Sequence, residues 1–321
     1  MSERVVAVVV SYNRGPLLAE TLDALAAQTL PLAAVVVVDN ASTDGSAEVA
    51  DRPDVHLVRL SANTGGAGGF ATAMAVALAD HDPDWIWVMD DDVVPEPAAA
   101  EALLAATRAP GPTVDAVCSK AVWTDGSEHP MNTPRPWVLA TGAQKALAAS
   151  AGATAVRSLS FVSSMYRASS VRERGLPIAD YFIWNDDFEY STRIVRGGIG
   201  LAVADSVVLH KTKALADSDA DPGPRFYYEV RNKLWVFTRS RSLAVHEKLL
   251  FALATLRRWW RAARTSSDPE VIRDGRRRGW RDARAAGPRP NREALDGVGV
   301  PERALAVIAE LDLAQRRWER R

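Results

Sequence analysis

The chain has 321 residues, 47% of them apolar, a net charge of −1 and one cysteine, Cys118. That length suits one large α/β domain with an appendage, or two domains, and a lone cysteine excludes an intrachain disulfide or a cysteine-rich metal site. The charge is lopsided: residues 1–224 carry 16 Lys+Arg against 28 Asp+Glu, and residues 225–321 carry 23 against 12. The basic half therefore calls for an anionic partner: a membrane surface, a lipid phosphate or nucleic acid. No stretch has the apolar length to span a bilayer. Val5–Val10 runs into a polar loop too soon for a signal peptide, so a cytoplasmic location is expected.

Arg4–Val10 reads as a β-branched apolar run, as expected of a strand buried on both faces of a parallel sheet. Ser11–Pro16 is the turn after it. Leu18, Leu22 and Leu25 then share a helical face within Leu17–Gln28. Ala33–Val38 reads as a second strand closed by Asp39–Asn40, and Val55–Leu60 as a third. Strands alternating with helices through short links predict a doubly wound, mostly parallel sheet, whose ligands bind at the strands' carboxyl ends. Asn63–Phe70 carries four glycines and opens a helix to about Ala79. Gly65 and Gly66 would let backbone approach an anion at that helix start; close helix–sheet packing explains the glycines equally well.

Trp85–Met89 is a fourth apolar strand, and it ends in Asp90–Asp91–Asp92. On an extended backbone Asp90 and Asp92 face one way and Asp91 the other. Two carboxylates on one side suit Mg²⁺ or Mn²⁺, with phosphate oxygens as further ligands. A polar turn capping the next helix is the plainer reading.

Val114–Cys118 is a strand candidate. Thr124–Trp137, polar and interrupted by prolines, reads as a surface excursion, and Ala155–Met165 as a strand pair or edge. In Asp180–Glu189 an aromatic patch meets Asp186 and Asp187 at a helix start. The carboxylates either cap that helix or serve as a general base beside aromatic walls. Leu201–Leu209 forms a strand that ends in His210. Beyond about 225 the chain reads as helices. Glu247–Arg264 combines leucines with Arg257, Arg258, Trp259, Trp260, Arg261 and Arg264, a composition suited to an anionic headgroup region across 248–264. A helix packed on the catalytic part with a solvated basic edge fits the same residues. No nucleic-acid fold signature accompanies the basic run, so nucleic acid is not an expected partner.

The order Ser-Tyr-Asn-Arg, Ala-Gln-Thr-Leu-Pro, Val-Asp-Asn-Ala-Ser-Thr-Asp-Gly, Asn-Thr-Gly-Gly-Ala-Gly-Gly-Phe, Asp-Asp-Asp, Asn-Asp-Asp-Phe-Glu and a later His resembles the inverting family 2 glycosyltransferases of GT-A fold. It is most similar to their bacterial galactofuranosyltransferase and rhamnosyltransferase branch, over roughly residues 4–240. The resemblance implies a GT-A domain over 1–224, with a nucleotide-binding half to about 110 and an acceptor half from 111, followed by a basic helical region, 225–321. It implies that Tyr12, Asn13, Arg14, Asp39, Asn63, Gly65, Gly66 and Asp91 hold the nucleotide of a UDP- or dTDP-sugar. Asp90, Asp92 and His210 would ligate Mg²⁺ or Mn²⁺. Asp187 would be the base and Asp186 would contact a sugar, with Trp184 and Tyr181 as flat faces for a glycan or lipid-linked acceptor. Phe226–Asn232 matches a Tyr/Arg-Asn segment that follows the site in that branch. A lipid-linked acceptor would bring the protein to the inner face of the plasma membrane. A nucleotidyltransferase would need a basic glycine-rich loop after the first strand, and Ser11–Pro16 holds only Arg14. A non-catalytic sugar-nucleotide-binding protein is opposed by the intact acidic residues.

Overall fold

The computed structural model describes residues 3–212, 215 and 221–320. Strands β1 (Val5–Ser11), β2 (Ala34–Asp39), β3 (Val55–Arg59) and β4 (Trp85–Asp90) lie parallel in the order β3-β2-β1-β4. Helices α1 (Gly15–Ala26), α2 (Ser46–Ala50) and α3 (Gly65–Asp80) make the connections between them. β1 is buried along its whole length because both its faces are covered. Val6, Val8 and Val10 pack in the layer under α3; Val5, Ala7 and Val9 pack with Leu18, Leu22 and Leu25 of α1. The glycines of α3 serve this packing: a Cβ on Gly69 would come within 2.5 Å of the Val10 side chain. Trp85 and Trp87 are fully buried, and each is worth roughly 1.5–3 kcal/mol of apolar burial. Their indole N–H groups donate to Glu3 and to the Ser163 hydroxyl, both at 3.0 Å, so neither leaves an unpaired donor.

After β4 the sheet becomes mixed. β5 (Val93–Pro95), α4 (Ala99–Ala106), β6 (Val114–Val122), α5 (Gly142–Ser150), β7 (Ala153–Val156), β8 (Ser163–Arg167), α6 (Ala168–Arg174), α7 (Asp186–Ile194) and β9 (Ile199–His210) follow in chain order. β8 runs antiparallel between β4 and β6, and β9 lies parallel to β6. β5 and β7 pair antiparallel with β9. The short β5 matters most for function. It turns the chain back immediately after the three aspartates and sets Val93 opposite His210.

The carboxyl-terminal region is helical, as expected: α8 (Phe226–Thr238), α9 (Val245–Thr265), α10 (Pro269–Ala285), α11 (Asn291–Ala294) and α12 (Glu302–Arg320). α10 lies close on α8 because Gly275 and Gly279 have no side chain there; a Cβ would come to 3.0 and 2.7 Å from the Tyr227 backbone. The buried Arg157 ties α9 to the sheet. Its guanidinium donates to Glu247 at 2.7 and 3.1 Å and to the carbonyls of Thr192 and Ser242. α12 returns to the sheet, and its Ala304, Ile308, Leu311 and Ala314 join the core that holds α3.

Residues 124–137 are mostly exposed, as expected of a surface excursion, with one anchor: His129 is only 1% exposed. Its backbone N–H donates to the Ala121 carbonyl at 3.0 Å, and its ring nitrogen Nε2 lies 3.2 Å from the Thr212 hydroxyl. That anchor pulls the segment down onto the end of β9.

Candidate active site

Asp90 ends β4, Asp92 lies in the turn to β5, and the β5–β9 pairing delivers His210 beside them. One ligand atom from each of the three lies within 4.8 Å of the others. The His210 Nδ1 is 3.0 Å from the Asn132 side-chain oxygen. That contact lets Nδ1 donate to Asn132 and turns Nε2 toward the acids. Nε2 in turn lies 3.2 Å from Asp92 Oδ1, which is buried and receives no hydrogen bond. Two carboxylates and one imidazole gathered within 4.8 Å suit Mn²⁺ or Mg²⁺. The acids are crowded. Burial, then the Asp92 charge, pushes Asp90 up to about 7. Burial, opposed by Arg14, brings Asp91 to about 6. Burial would raise Asp92 as well, but His210 and Arg14 hold it below the ordinary carboxylate value.

Arg14 lies in the turn after β1 and bridges the acids: its guanidinium pairs closely with Asp92 and reaches Asp91 at 3.4 Å. Asp91 also accepts from the Tyr12 backbone N–H at 3.1 Å. Asp91 therefore meets the first turn through Tyr12 and Arg14, while Asp92 lies between Arg14 and His210. Tyr12 is exposed. The Asn13 side chain is committed inside the protein, accepting from Thr43 N–H at 2.8 Å. Asp39, at the end of β2, accepts from Ser42 N–H at 3.3 Å, and the Asn63 side chain accepts from Gly65 N–H at 2.8 Å. Asn40, not singled out in the sequence, clamps the glycine turn: it donates to the Gly65 carbonyl at 2.9 Å and accepts from Thr64 N–H at 2.8 Å.

The glycine turn is corrected in one respect. Gly65 is not left open to a nucleotide, because the Phe182 carbonyl fills the space where its Cβ would be, 2.0 Å away. That carbonyl also accepts from Ala67 N–H at 3.2 Å, occupying the start of α3. Gly66 faces Asp186, whose Oδ2 would lie 3.8 Å from a Cβ there. The glycines thus bring the loop that carries Asp186 and Asp187 against the start of α3.

That loop is held under strain. Phe182, Trp184 and Asn185 all have left-handed φ, at 62°, 67° and 65°, and each such non-glycine residue costs about 1–3 kcal/mol unless its surroundings enforce it. Asn232 of α8 supplies the enforcement. Its amide donates to the carbonyls of Tyr181, Ile183 and Trp184 at 2.9, 3.0 and 2.7 Å. Arg231 adds bonds to the Asp180 and Tyr181 carbonyls, and Asn185 donates to Glu229 at 2.8 Å. The loop releases the chain into α7 with Asp186 and Asp187 in its first turn.

Asp187 accepts from Phe188 N–H at 2.6 Å. Its pKa is raised by burial, against the Phe188 N–H, Lys233 and Ser160, all of which lower it. Asp186 lies well above its ordinary value through burial, the Asp187 charge and Asp90, which puts the two acidic pairs within electrostatic reach of each other. Lys233 is buried, and burial brings it down to about 8 against the pull of Glu229. Tyr181 is corrected as an acceptor face. It is 1% exposed and packs on Trp235 with ring centres 5.6 Å apart, so it supports the loop from beneath. Trp184 is half-buried at the rim, and Phe182 stacks on Tyr228 at 5.3 Å.

The turn after β1, Asp39 and the three aspartates thus gather at the carboxyl ends of β1, β2 and β4, and residues 6–175 match the Glycosyl transferase family 2 profile: the chain belongs to that family. It is a nucleotide-sugar glycosyltransferase of GT-A fold. Galactofuranosyltransferase GlfT1 of Mycobacterium tuberculosis is 31% identical over 283 residues, covering 78% of this chain and 88% of the relative. GlfT1 of Mycolicibacterium smegmatis is 31% identical over 208 residues, 62% of this chain and 67% of the relative. Among solved structures, S. aureus TarS superposes with a TM-score of 0.59 at 16% identity over 98% of this chain and 55% of its own. The Pyrobaculum calidifontis mannosyltransferase PcManGT, in complex with GDP-Man and Mn²⁺, gives 0.54 at 20% identity over 98% and 88%. Among the described residues no helix is long and apolar enough to cross a membrane.

Proposed function

We propose that the protein is an inverting, metal-dependent galactofuranosyltransferase of cell-wall or surface polysaccharide synthesis. It takes the sugar from a nucleoside diphosphate donor and adds it to a glycan or lipid-linked acceptor. The observation that carries this is the facing of Asp92 Oδ1 and His210 Nε2, next to a second acidic pair on α7, in a chain 31% identical to GlfT1. Residues 1–110 hold the donor, 111–224 supply the base and the acceptor wall, and 225–321 form the basic helical region.

Asp90, Asp92 and His210 would hold Mn²⁺ or Mg²⁺, which when bound neutralises charge developing on the diphosphate leaving group. Arg14 is placed to turn from Asp92 to a phosphate oxygen, and Tyr12, Asp39, Asn63 and Asp91 frame the nucleotide. Asp187 takes the proton from the acceptor hydroxyl, a role helped by a raised pKa. The oxygen then bonds to the anomeric carbon as the carbon–diphosphate bond breaks on the opposite face, so one displacement inverts the centre. Asp186 meets the sugar between Asp90 and Asp187, and Trp184 is the acceptor's flat face. Transfer assays with UDP-galactofuranose and dTDP-rhamnose, with product anomers read by NMR, test this. Inverted galactofuranosyl product that requires Mn²⁺ supports it; transfer of rhamnose alone, or retention, overturns it.

The anionic membrane surface remains part of this reading, through different side chains. Trp259 is buried and donates to Glu229 at 3.2 Å, so it does not point outward as the sequence suggested, and the partly exposed Arg258 pairs with the same carboxylate at 3.0 Å. The exposed face of α9 is instead Val245, Leu249, Leu253, Leu256 and Trp260, spaced as one helical stripe. Arg257 and Arg264 flank it, with the Arg264 guanidinium 4.6 Å from the Trp260 ring centre. A leucine stripe edged by arginines matches an anionic leaflet, which would bring a lipid-linked acceptor to the site.

A further inference from the structure

Helix α9 turns one side toward the reaction centre. Glu247, Thr255 and Trp259 are buried on that side, and helical spacing puts Phe251 and Arg258 there as well. The Phe251 ring meets the Phe188 ring edge-on with centres 5.1 Å apart, and the Lys233 ammonium lies 3.8 Å from the centre of the same Phe188 ring. Phe188 directly follows Asp187, and its backbone N–H donates to the Asp187 carboxylate at 2.6 Å. About two helical turns further along α9, the Trp259 indole N–H and the Arg258 guanidinium converge on Glu229 Oε1, at 3.2 and 3.0 Å. The other oxygen, Oε2, accepts from the Asn185 amide at 2.8 Å. Asn185 directly precedes Asp186 and has φ 65°. The residues on either side of the Asp186–Asp187 pair are thus held, through separate contacts, by one helix.

We infer that α9 positions the acid pair: Phe251, bearing on Phe188, and Glu229, held by Trp259 and Arg258, are positioning residues that set Asp187 toward the acceptor hydroxyl. The inference rests on the proposed role of Asp187 as the base. Asn232 orders the carbonyls of Tyr181, Ile183 and Trp184, and those bonds stop one residue short of Asn185. Asparagine is a favoured helix cap, yet the Asn185 side chain makes no capping bond to α7. It is committed to Glu229 instead, which carries the order across from α9 to the start of α7. A carboxylate suits this joint because both its oxygens accept, one from Asn185 and the other from the two donors of α9; an amide has a single accepting oxygen. A base must lie within hydrogen-bond reach of the proton it takes, and a misplacement of about 1 Å can cost about 10²-fold in rate.

The test uses the full chain and two readouts: kcat for transfer from UDP-galactofuranose, and affinity for UDP with Mn²⁺ by calorimetry. Asp187→Asn is the control. Asn185→Gly keeps the left-handed backbone without strain and removes the amide bond to Glu229. It should lower kcat about 10-fold or more while leaving UDP affinity within about twofold. Glu229→Gln, with one accepting oxygen in place of two, should do the same. The double variant Arg258→Met, Trp259→Phe keeps most of the packing and removes both α9 donors. It should lower kcat to a similar extent, and adding Asn185→Gly to it should lower kcat little further, because all three changes act through Glu229. Phe251→Ala should lower kcat about 10-fold, and Phe251→Tyr, which keeps the ring, should stay near wild type. The inference is overturned if Asn185→Gly or Phe251→Ala keeps the wild-type kcat while Asp187→Asn loses it. It is also overturned if UDP affinity falls as far as kcat, or if the losses of Asn185→Gly and the double variant multiply in full. If Asp187→Asn leaves transfer intact, the proposed base itself falls, and this inference with it.

Discussion

The Phe182 carbonyl occupies the space a side chain on Gly65 would need, with 2.0 Å between that oxygen and the position of a Cβ. Gly65 also has φ +70°, so any replacement meets both a left-handed backbone and an immovable carbonyl. Gly65→Ala should push the 181–185 loop outward and carry Asp187 with it. A stability loss of about 2 kcal/mol or more is expected in urea denaturation, with a loss of transfer larger than the loss of donor binding. Wild-type behaviour would mean that the loop is set elsewhere.

Asp92→Ala removes the carboxylate that faces His210 and pairs with Arg14. Calorimetry with UDP and Mn²⁺ should show nucleotide binding weakened by about 10-fold or more and no longer enhanced by the metal. Unchanged enhancement would remove Asp92 as a ligand.

Asp187→Asn is nearly isosteric. It should leave folding and donor binding intact while kcat falls by about 10²-fold or more, the scale of a lost general base. Near-wild-type turnover would leave Asp187 as a helix-start acid and place the base elsewhere.

Asp90 gives a signed dependence of stability on pH. Its folded pKa is about 7, raised from 3.8 first by burial and then by Asp92. Between those values the folded protein holds the proton that the unfolded chain has released. In the metal-free protein this group's contribution therefore favours folding at low pH and is lost as pH rises from about 4 to 7, at up to about 1.4 kcal/mol per pH unit. Asp92, with its lowered value, acts in the opposite direction. Thermal melts of wild type and Asp90→Asn across that window should show the falling component in the wild type alone.

The α9 stripe predicts salt-sensitive attachment to anionic vesicles. Wild type should co-sediment with anionic but not neutral vesicles at low salt, and the combined Leu249→Ser, Leu253→Ser, Leu256→Ser variant should stay in solution and keep donor binding. If wild type ignores the vesicles but dimerises through this face, the stripe is a contact between copies.

The sequence by itself determined the strand–helix alternation from Val5 to Asp90, because apolar runs and turn residues are local signals that buried parallel strands require. It also determined the acidic clusters, whose residue types declare their chemistry, and the order of motifs that marks the family. It did not locate Asn132, Ser160 or Lys233, and it marked Asn232 only as part of a motif without a role. Each is chemically ordinary and draws its role from partners far along the chain: Asn132 from His210, 78 residues away, and Asn232 from Trp184, 48 residues away. It misplaced Tyr181 and Trp259, since an aromatic residue beside charged ones reads the same whether its ring faces solvent or the core. Only the tertiary structure decided those orientations. Hydrogen bonds and buried rings are settled by which surfaces meet once the sheet has closed on α8 and α12, and spacing along the chain carries no record of that meeting.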